Sequence, residues 1–534
     1  MDPFQAIIFS RELIMKKNIK LSLITLCWFA TLTASVHAKD VTIYYTNDLH
    51  AHVSPGKLPT VDKERLVGGF ANIATIVNDA KKISKDVFFF DAGDYFTGPY
   101  ISTLTKGEAI IDIMNTMPFD AVSVGNHEFD YGVDNMVKQL SRAHFPILLG
   151  NVFYTNSEKP VWNTPWTVVE KDGIKIGVIG VHQKFAFYDT IAAKAYAGSE
   201  ARDEEPYIQK GLDALKGKVD IIVLLIHEGT PARQSSYGNK DVARMLQADI
   251  DTAKKFKGID VLITGHAHVG TPEPIKVNDT LIVSTDAYGT DIGKLVLDFN
   301  PQTKKIERYK GELITVFSDE YKPDPKVQLK IDEWNASLKK ITGQVIGSTT
   351  AHFTRSYGES SPVGNLIIDA MMAKVPDAVV GLQNSGGIRA DFPQGNLTYG
   401  DVITTFPFNN DLVEMDLTGK DLTDLMIHAT NLTNGILQVS KSVHVVYDST
   451  KPLGKRLIKF TVNNQPIDPT RIYRVATHSF CATGGDGFEA FLKGKNIKTI
   501  NSTTSADSII DYVKAHSPVK PDHEMRVTDV SAAK

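Results

Sequence analysis

Cysteine is nearly absent: the chain has two, Cys27 and Cys481, among 534 residues. Cys27 lies in an N-terminal segment that reads as removable. One thiol would remain, too few for an internal disulfide or a thiolate metal site. Charge of one sign is lacking as well. A formal net charge of -4 gives no electrostatic footprint for nucleic acid or an anionic membrane, so an anionic ligand must be small and held by a local basic pocket. A long apolar run is also missing, since the stretch Leu21–Thr33 falls short of the roughly 20 residues that span a bilayer. There is no internal repeat and no low-complexity tract.

The apolar stretch has another reading. Lys16, Lys17 and Lys20 precede it, and Val36-His37-Ala38 follows with small residues at the cleavage positions. Basic, then apolar, then A-x-A-like is the order of a secretory signal peptide. Residues 1–38 are thus expected to be an upstream extension and leader, and the mature protein to begin near Lys39, exported to the periplasm or secreted. The composition, 42% hydrophobic and 22% charged, is that of a globular protein, and the length suggests about two to four domains.

Short apolar strands alternate with amphipathic segments in the first half, the pattern of stacked α/β units. Val41-Thr42-Ile43-Tyr44-Tyr45, Val87-Phe88-Phe89-Phe90, Ala121-Val122-Ser123-Val124, Ile174–Val181, Ile221–Ile226 and Val261-Leu262-Ile263 read as strands covered on both faces. Pro323 and Pro325 introduce a charged, helix-favouring stretch that reads as a linker helix over residues 321–342. The expected division is a first domain over 39–320, the linker, and a second domain over 343–534.

Five of the strands run into polar clusters. These are Asp48-Leu49-His50, Asp91-Ala92-Gly93-Asp94, Gly125-Asn126-His127-Glu128, His227-Glu228 and Gly265-His266-Ala267-His268. In open α/β sheets the carboxyl ends of parallel strands share one rim, where ligands bind. Clusters more than two hundred residues apart can therefore converge. Carboxylates, imidazoles and an amide oxygen without sulfur suit manganese, zinc, cobalt or iron. Six or more donors exceed what one tetrahedral ion uses, and two ions roughly 3.5–4 Å apart sharing a carboxylate would use them all. Singly, an Asp-x-His after a strand or a Gly-Asp pair is more often turn chemistry; the coincidence of five is what carries the reading. His52 and His182 also follow strands, and both read as structural.

The order Asp-x-His, Gly-Asp, Gly-Asn-His-Glu, His, Gly-His-x-His resembles the calcineurin-like metallophosphoesterases. In the second domain, Asn384-Ser385-Gly386-Gly387-Ile388-Arg389, Pro407-Phe408-Asn409-Asn410 and Phe480-Cys481-Ala482-Thr483-Gly484-Gly485-Asp486-Gly487-Phe488 resemble the C-terminal domain of 5′-nucleotidases and UDP-sugar hydrolases. The resemblance implies an α/β fold. An N-terminal four-layer metallophosphoesterase β-sandwich flanked by helices would lead through the linker helix to a C-terminal α+β substrate-binding domain. It implies one ion held by Asp48, His50 and His268 and another by Asn126, His227 and His266, with Asp94 bridging. His268 stands where the family often has Gln or Asn. His127 and Asp130 match the catalytic dyad, with Asn126 beside them.

For the substrate, the resemblance implies a nucleotide whose base is stacked between Phe408 and Phe480, with Asn384 and Asn410 near it. Asp486 would hold the ribose and Arg389 the phosphate, with Arg355 the candidate second phosphate arginine. It implies hydrolysis without a covalent intermediate, and members are known to rotate the C-terminal domain. Two rivals remain: a 2′,3′-cyclic phosphodiesterase/3′-nucleotidase, which commonly has Asn where Asp130 stands, and a non-catalytic secreted metal-containing binding protein, which needs no dyad. No membrane span and no nucleic-acid partner are expected.

Overall fold

The structure, a computed structural model, describes residues 39–58, 61–229, 242–408, 410–432 and 435–531; the leader reading falls outside them. Two six-stranded sheets face each other in the first half. One has the order Lys305–Thr315, Asp291–Asn300, Lys39–Thr46, Val87–Asp91, Ala121–Ser123, Ile147–Leu148. The other runs Ile275–Val277, Thr280–Val283, Val261–His266, Ile221–Glu228, Ile174–His182, Trp166–Lys171. The central strands of each are parallel. Side chains alternate between faces along a strand. Val41, Ile43, Tyr45, Phe88 and Phe90 enter the core between the sheets, while Tyr44 and Phe89 turn outward under the helices. Val223 and Leu225 likewise face inward and Leu224 and Ile226 outward. Both faces are apolar because each sheet is sandwiched, giving helices, sheet, sheet, helices.

The expected linker helix is Pro325–Thr342. Asp324 caps it, accepting from the backbone N–H of Lys326 and Val327, and Pro325 fills the first turn, where no donor is needed. Val327, Ile331 and Leu338 bury into the first domain's core, so the helix is docked on that domain along its length.

In the second half, a five-stranded sheet has the order Leu437–Val439, Val380–Asn384, Ile472–His478, Asp411–Thr418, Lys495–Thr504. Apolar clusters cover its two faces. The strands Val380–Asn384 and Ile472–His478, which are parallel neighbours, end together and place Asn384, His478 and Phe480 at one edge. Asn335 accepts from the Tyr100 hydroxyl at 3.1 Å and Thr404 Oγ1 from the Tyr100 N–H at 3.3 Å, tying linker, first domain and second domain together.

Candidate active site

All five strand-end clusters meet at one rim. Asp48, His50 and His268 bring one donor atom each to a common point, as do Asp94, His227 and His266. Asn126 Oδ1 joins the second group, 3.1 Å from His227 Nε2 and 2.9 Å from His266 Nδ1. Asp94 lies between the two, its Oδ2 at 3.1 Å from His227 Nε2 and 3.9 Å from His50 Nε2. His127, too, forms a possible donor group with His50 and Asp94.

The imidazoles are aimed by backbone carbonyls. His50 Nδ1 donates to Thr97 O at 2.9 Å and His227 Nδ1 to Ala92 O at 2.8 Å, which leaves each Nε2 a lone pair directed at the centre. His50 Nε2 faces His268 Nε2 at 2.9 Å. His227 Nε2 faces carboxylate and amide oxygens. Lone pairs converging on carboxylates in a buried place repel unless a cation sits among them, and an all-nitrogen-and-oxygen donor set fits a divalent ion of the hard or borderline kind.

Electrostatics agree. Burial, with Arg389 and His268 adding to it, holds His50 well below its usual value, and burial with His227 does the same for His266. Both are neutral and ready to ligate. Burial alone would lower His227, but Asp94 and Asp48 push it up to about 10. The carboxylates demand positive charge there, which a divalent ion supplies.

Five of the seven predicted donor residues have left-handed backbone: φ is 51° at Asp48, 44° at His50, 61° at Asp94, 73° at His266 and 53° at His268. Residues with a Cβ avoid this region, at a cost of about 1–3 kcal/mol each. Surrounding contacts enforce it. Glu128 accepts from three backbone N–H groups on two loops, Asp94 at 3.0 Å, Phe96 at 2.9 Å and Gly125 at 2.7 Å. A Cβ on Gly125 would overlap Asp94 Oδ1, so glycine there permits the approach. Asn47 donates to Asp48 Oδ2 at 2.7 Å and accepts from Thr285 N–H at 2.7 Å.

Twelve of the sixteen predicted site residues line one cavity, and four lie behind it. Asp94, Asn126, His127, Asp130, His266, His268, Asn384, Arg389, Phe408, Asn410, Phe480 and Asp486 line a single cavity between the two domains. Arg389 Nη2 comes within 3.5 Å of His50 Nε2, joining the phosphate candidate to the donor cluster. Phe408 lies 5.8 Å from the His127 ring. Asn384 Nδ2 donates to Asp486 Oδ2 at 2.7 Å. Asp48, His50 and His227 stand just behind, fully buried.

Arg355 stands outside the lining of this cavity, and its guanidinium donates to the carbonyls of Ile388 and Arg389. It supports the Arg389 loop. His52 donates through Nδ1 to His50 O at 2.8 Å, and His182 contacts Gln183 O at 2.9 Å; neither joins a donor group.

Several lining residues carried no sequence signal: Thr190, Ala192, Tyr288 and Tyr357. Tyr288 also has φ of 69° and donates its N–H to Asp48 O at 2.7 Å. The Glu128 clamp was visible only as the last letter of a motif.

A sandwich of sheets whose rim gathers carboxylates, imidazoles and an amide around a cation position, with a histidine–aspartate dyad beside it, defines a metal-dependent phosphoester hydrolase. The comparisons agree. Residues 41–270 match the calcineurin-like phosphoesterase family and residues 345–493 the 5′-nucleotidase C-terminal domain. The chain belongs to the 5′-nucleotidase family of calcineurin-like phosphoesterases. It is 26% identical to a 5′-nucleotidase of Bos taurus, over 93% of this chain and 92% of the relative. It is 29% identical to an apyrase of Tabanus yao, over 91% and 93%. The crystal structure of a 5′-nucleotidase precursor from Thermus thermophilus superposes with a TM-score of 0.79 at 27% identity, over 92% of this chain and 99% of that one.

Proposed function

We propose that the chain is an exported 5′-nucleotidase that uses two divalent ions, manganese, zinc or cobalt, to hydrolyse nucleoside 5′-phosphates to nucleoside and phosphate. The observation that carries this reading is a single cavity that joins the donor clusters of one domain to Arg389, Phe408, Phe480 and Asp486 of the other. A nucleotide has matching parts. Its base stacks against the phenyl rings, its ribose hydroxyls donate to Asp486, and its phosphate meets the planar fork of Arg389.

Asp48, His50 and His268 would hold one ion and Asn126, His227 and His266 the other, with Asp94 between them. Ions there supply Lewis-acid polarisation of the phosphoryl group and a water of lowered pKa. His127 faces the same space with its Nδ1 held by Asp130 Oδ2 at 2.7 Å, so its Nε2 donates to charge growing on phosphoryl or leaving oxygens. Seven donors in two groups favour two ions over one, and the basic–apolar–small order of residues 16–38 supports export. Among the described residues no helix is long and apolar enough to cross a membrane.

The test is phosphate release from AMP with and without a chelator, beside a 3′-nucleotide and a 2′,3′-cyclic nucleotide. Chelator-sensitive release from AMP is expected. Preference for the 3′- or cyclic substrate would move the chain to the sibling activity, and no release from any would leave a binding protein.

A further inference from the structure

Behind the cavity wall lies a histidine to which neither the motifs nor the proposed chemistry gives a role. His478 ends the strand Ile472–His478 and is 1% exposed. Its Nε2 lies 3.0 Å from Asn384 Oδ1. That oxygen also accepts from Gln383 Nε2 at 2.9 Å, while Asn384 Nδ2 donates to Asp486 Oδ2 at 2.7 Å. A carboxylate accepts only, so the amide nitrogen of Asn384 must be the atom facing Asp486. The oxygen then faces His478, whose Nε2 must carry the proton.

The same imidazole supports a second cavity residue. Phe480 lies parallel to it, with ring centroids 6.3 Å apart and an interplanar angle of 13°, an offset stack. A Cβ on Gly485 would overlap the Phe480 ring, so glycine there gives the ring its room. One buried ring thus braces both the amide and the phenyl group of the proposed base pocket. Among the described residues its buried Nδ1 has no hydrogen-bond partner, a cost that an apolar side chain of similar shape would not carry. Burial pushes its pKa down to about 3, so the ring is neutral, and its Nε2 proton points to Asn384 Oδ1 at 3.0 Å, with Cys481 Sγ at 3.5 Å from the same nitrogen.

We infer that His478 is a positioning residue for substrate choice: it fixes Asn384 as a hydrogen-bond donor toward the cavity and holds the Phe480 ring, so the pocket selects a base carrying an acceptor on its edge. This rests on the nucleotide reading above. A ligand without a base, such as p-nitrophenyl phosphate, would not use these groups.

The experiment compares kcat/KM for AMP with that for p-nitrophenyl phosphate in the metal-loaded, full-length protein and in His478→Phe, which keeps the ring and loses the donor. The ratio of AMP to p-nitrophenyl phosphate should fall about five- to tenfold, as expected for one lost hydrogen bond, mostly through a higher KM for AMP. Asn384→Ala should produce a similar fall, and the double variant little more, since both remove one interaction. An unchanged ratio, or equal losses on both substrates, overturns the inference. If His478→Phe does not fold, His478→Leu is read by the same criterion. A parent protein that turns over p-nitrophenyl phosphate but not AMP sinks the nucleotide reading instead.

Discussion

Asp130 Oδ2 lies 2.7 Å from His127 Nδ1, and both side chains are only about one-eighth exposed, at 12% and 13%. Burial lowers the imidazole pKa, but Asp130 and Asp94 outweigh it and the net shift is upward. The two carboxylates thus favour the protonated imidazole. If turnover needs that proton, its loss forms the alkaline limb of kcat. Asp130→Asn removes one raising contribution, so the limb should move to lower pH, with a modest drop in kcat. A pH–rate profile under saturating substrate checks this, and an unmoved limb refutes it.

His127→Asn should keep the metal ions bound and slow turnover about a hundredfold or more. Elemental analysis beside kinetics separates the roles. Loss of metal with the fold intact would make His127 a ligand, as its grouping with His50 and Asp94 allows.

Two ions per chain are expected by elemental analysis, with activity lost on chelation and restored by added metal. Asp94→Asn should be the most damaging ligand change, since Asp94 faces both donor groups. One ion in fully active protein would contradict the two-ion reading.

Glu128→Gln tests the clamp. Gln presents one acceptor and one donor where three N–H groups need acceptors, which should cost about 2 kcal/mol and weaken metal affinity about tenfold or more. Calorimetric titration of the metal-free protein measures it, and parental affinity would show that the loops hold themselves.

Asp260 gives a pH effect far from the site. Burial and the Asp279 carboxylate push its carboxyl up to about 6, opposed by the Ile222 N–H. A raised folded pKa is stabilising below the unfolded value near 4 and is lost as pH rises through about 6. Asp260→Asn should thus gain stability relative to the parent as pH rises from 4 to 7, by about 1–2 kcal/mol because the residue is partly exposed. Denaturant melts at both pH values read this directly.

Joining the two domains should stop turnover. The helix Lys184–Thr190 of the first domain packs on the turn Gly485–Gly487 of the second. A cysteine pair across that contact, in a Cys481→Ser background, should block activity when oxidised and restore it when reduced, at constant metal content. Full activity in the crosslinked form would show that substrate enters and leaves without domain motion.

How much of this was legible in the sequence follows from the physics of each part. The rim was legible because parallel strands put their carboxyl ends on one side, so Asp48, Asp94, Asn126, His227 and His266 could be placed together without knowing a distance. The linker helix announced itself through Asp324 and Pro325. The surroundings of Arg355 were not legible, because sequence does not tell whether a guanidinium faces a ligand or backbone carbonyls such as those of Ile388 and Arg389. Tyr288, Tyr357, Thr190 and Ala192 line the cavity through domain packing, which leaves no period and no motif. His478 was silent for the same reason: its partner, Asn384, is on a neighbouring strand.

The left-handed turns under Asp48, His50, Asp94, His266 and His268 also bear on how the protein wears out. Each turn would relax if its contacts loosened, whereas the sheets below are packed on both faces. Heating should therefore release the ions and let the rim sag before the sandwich melts. Inactivation at moderate temperature would then be a reversible demetallation, and excess metal in the buffer would extend the working life of the enzyme without raising the melting point of its metal-free core.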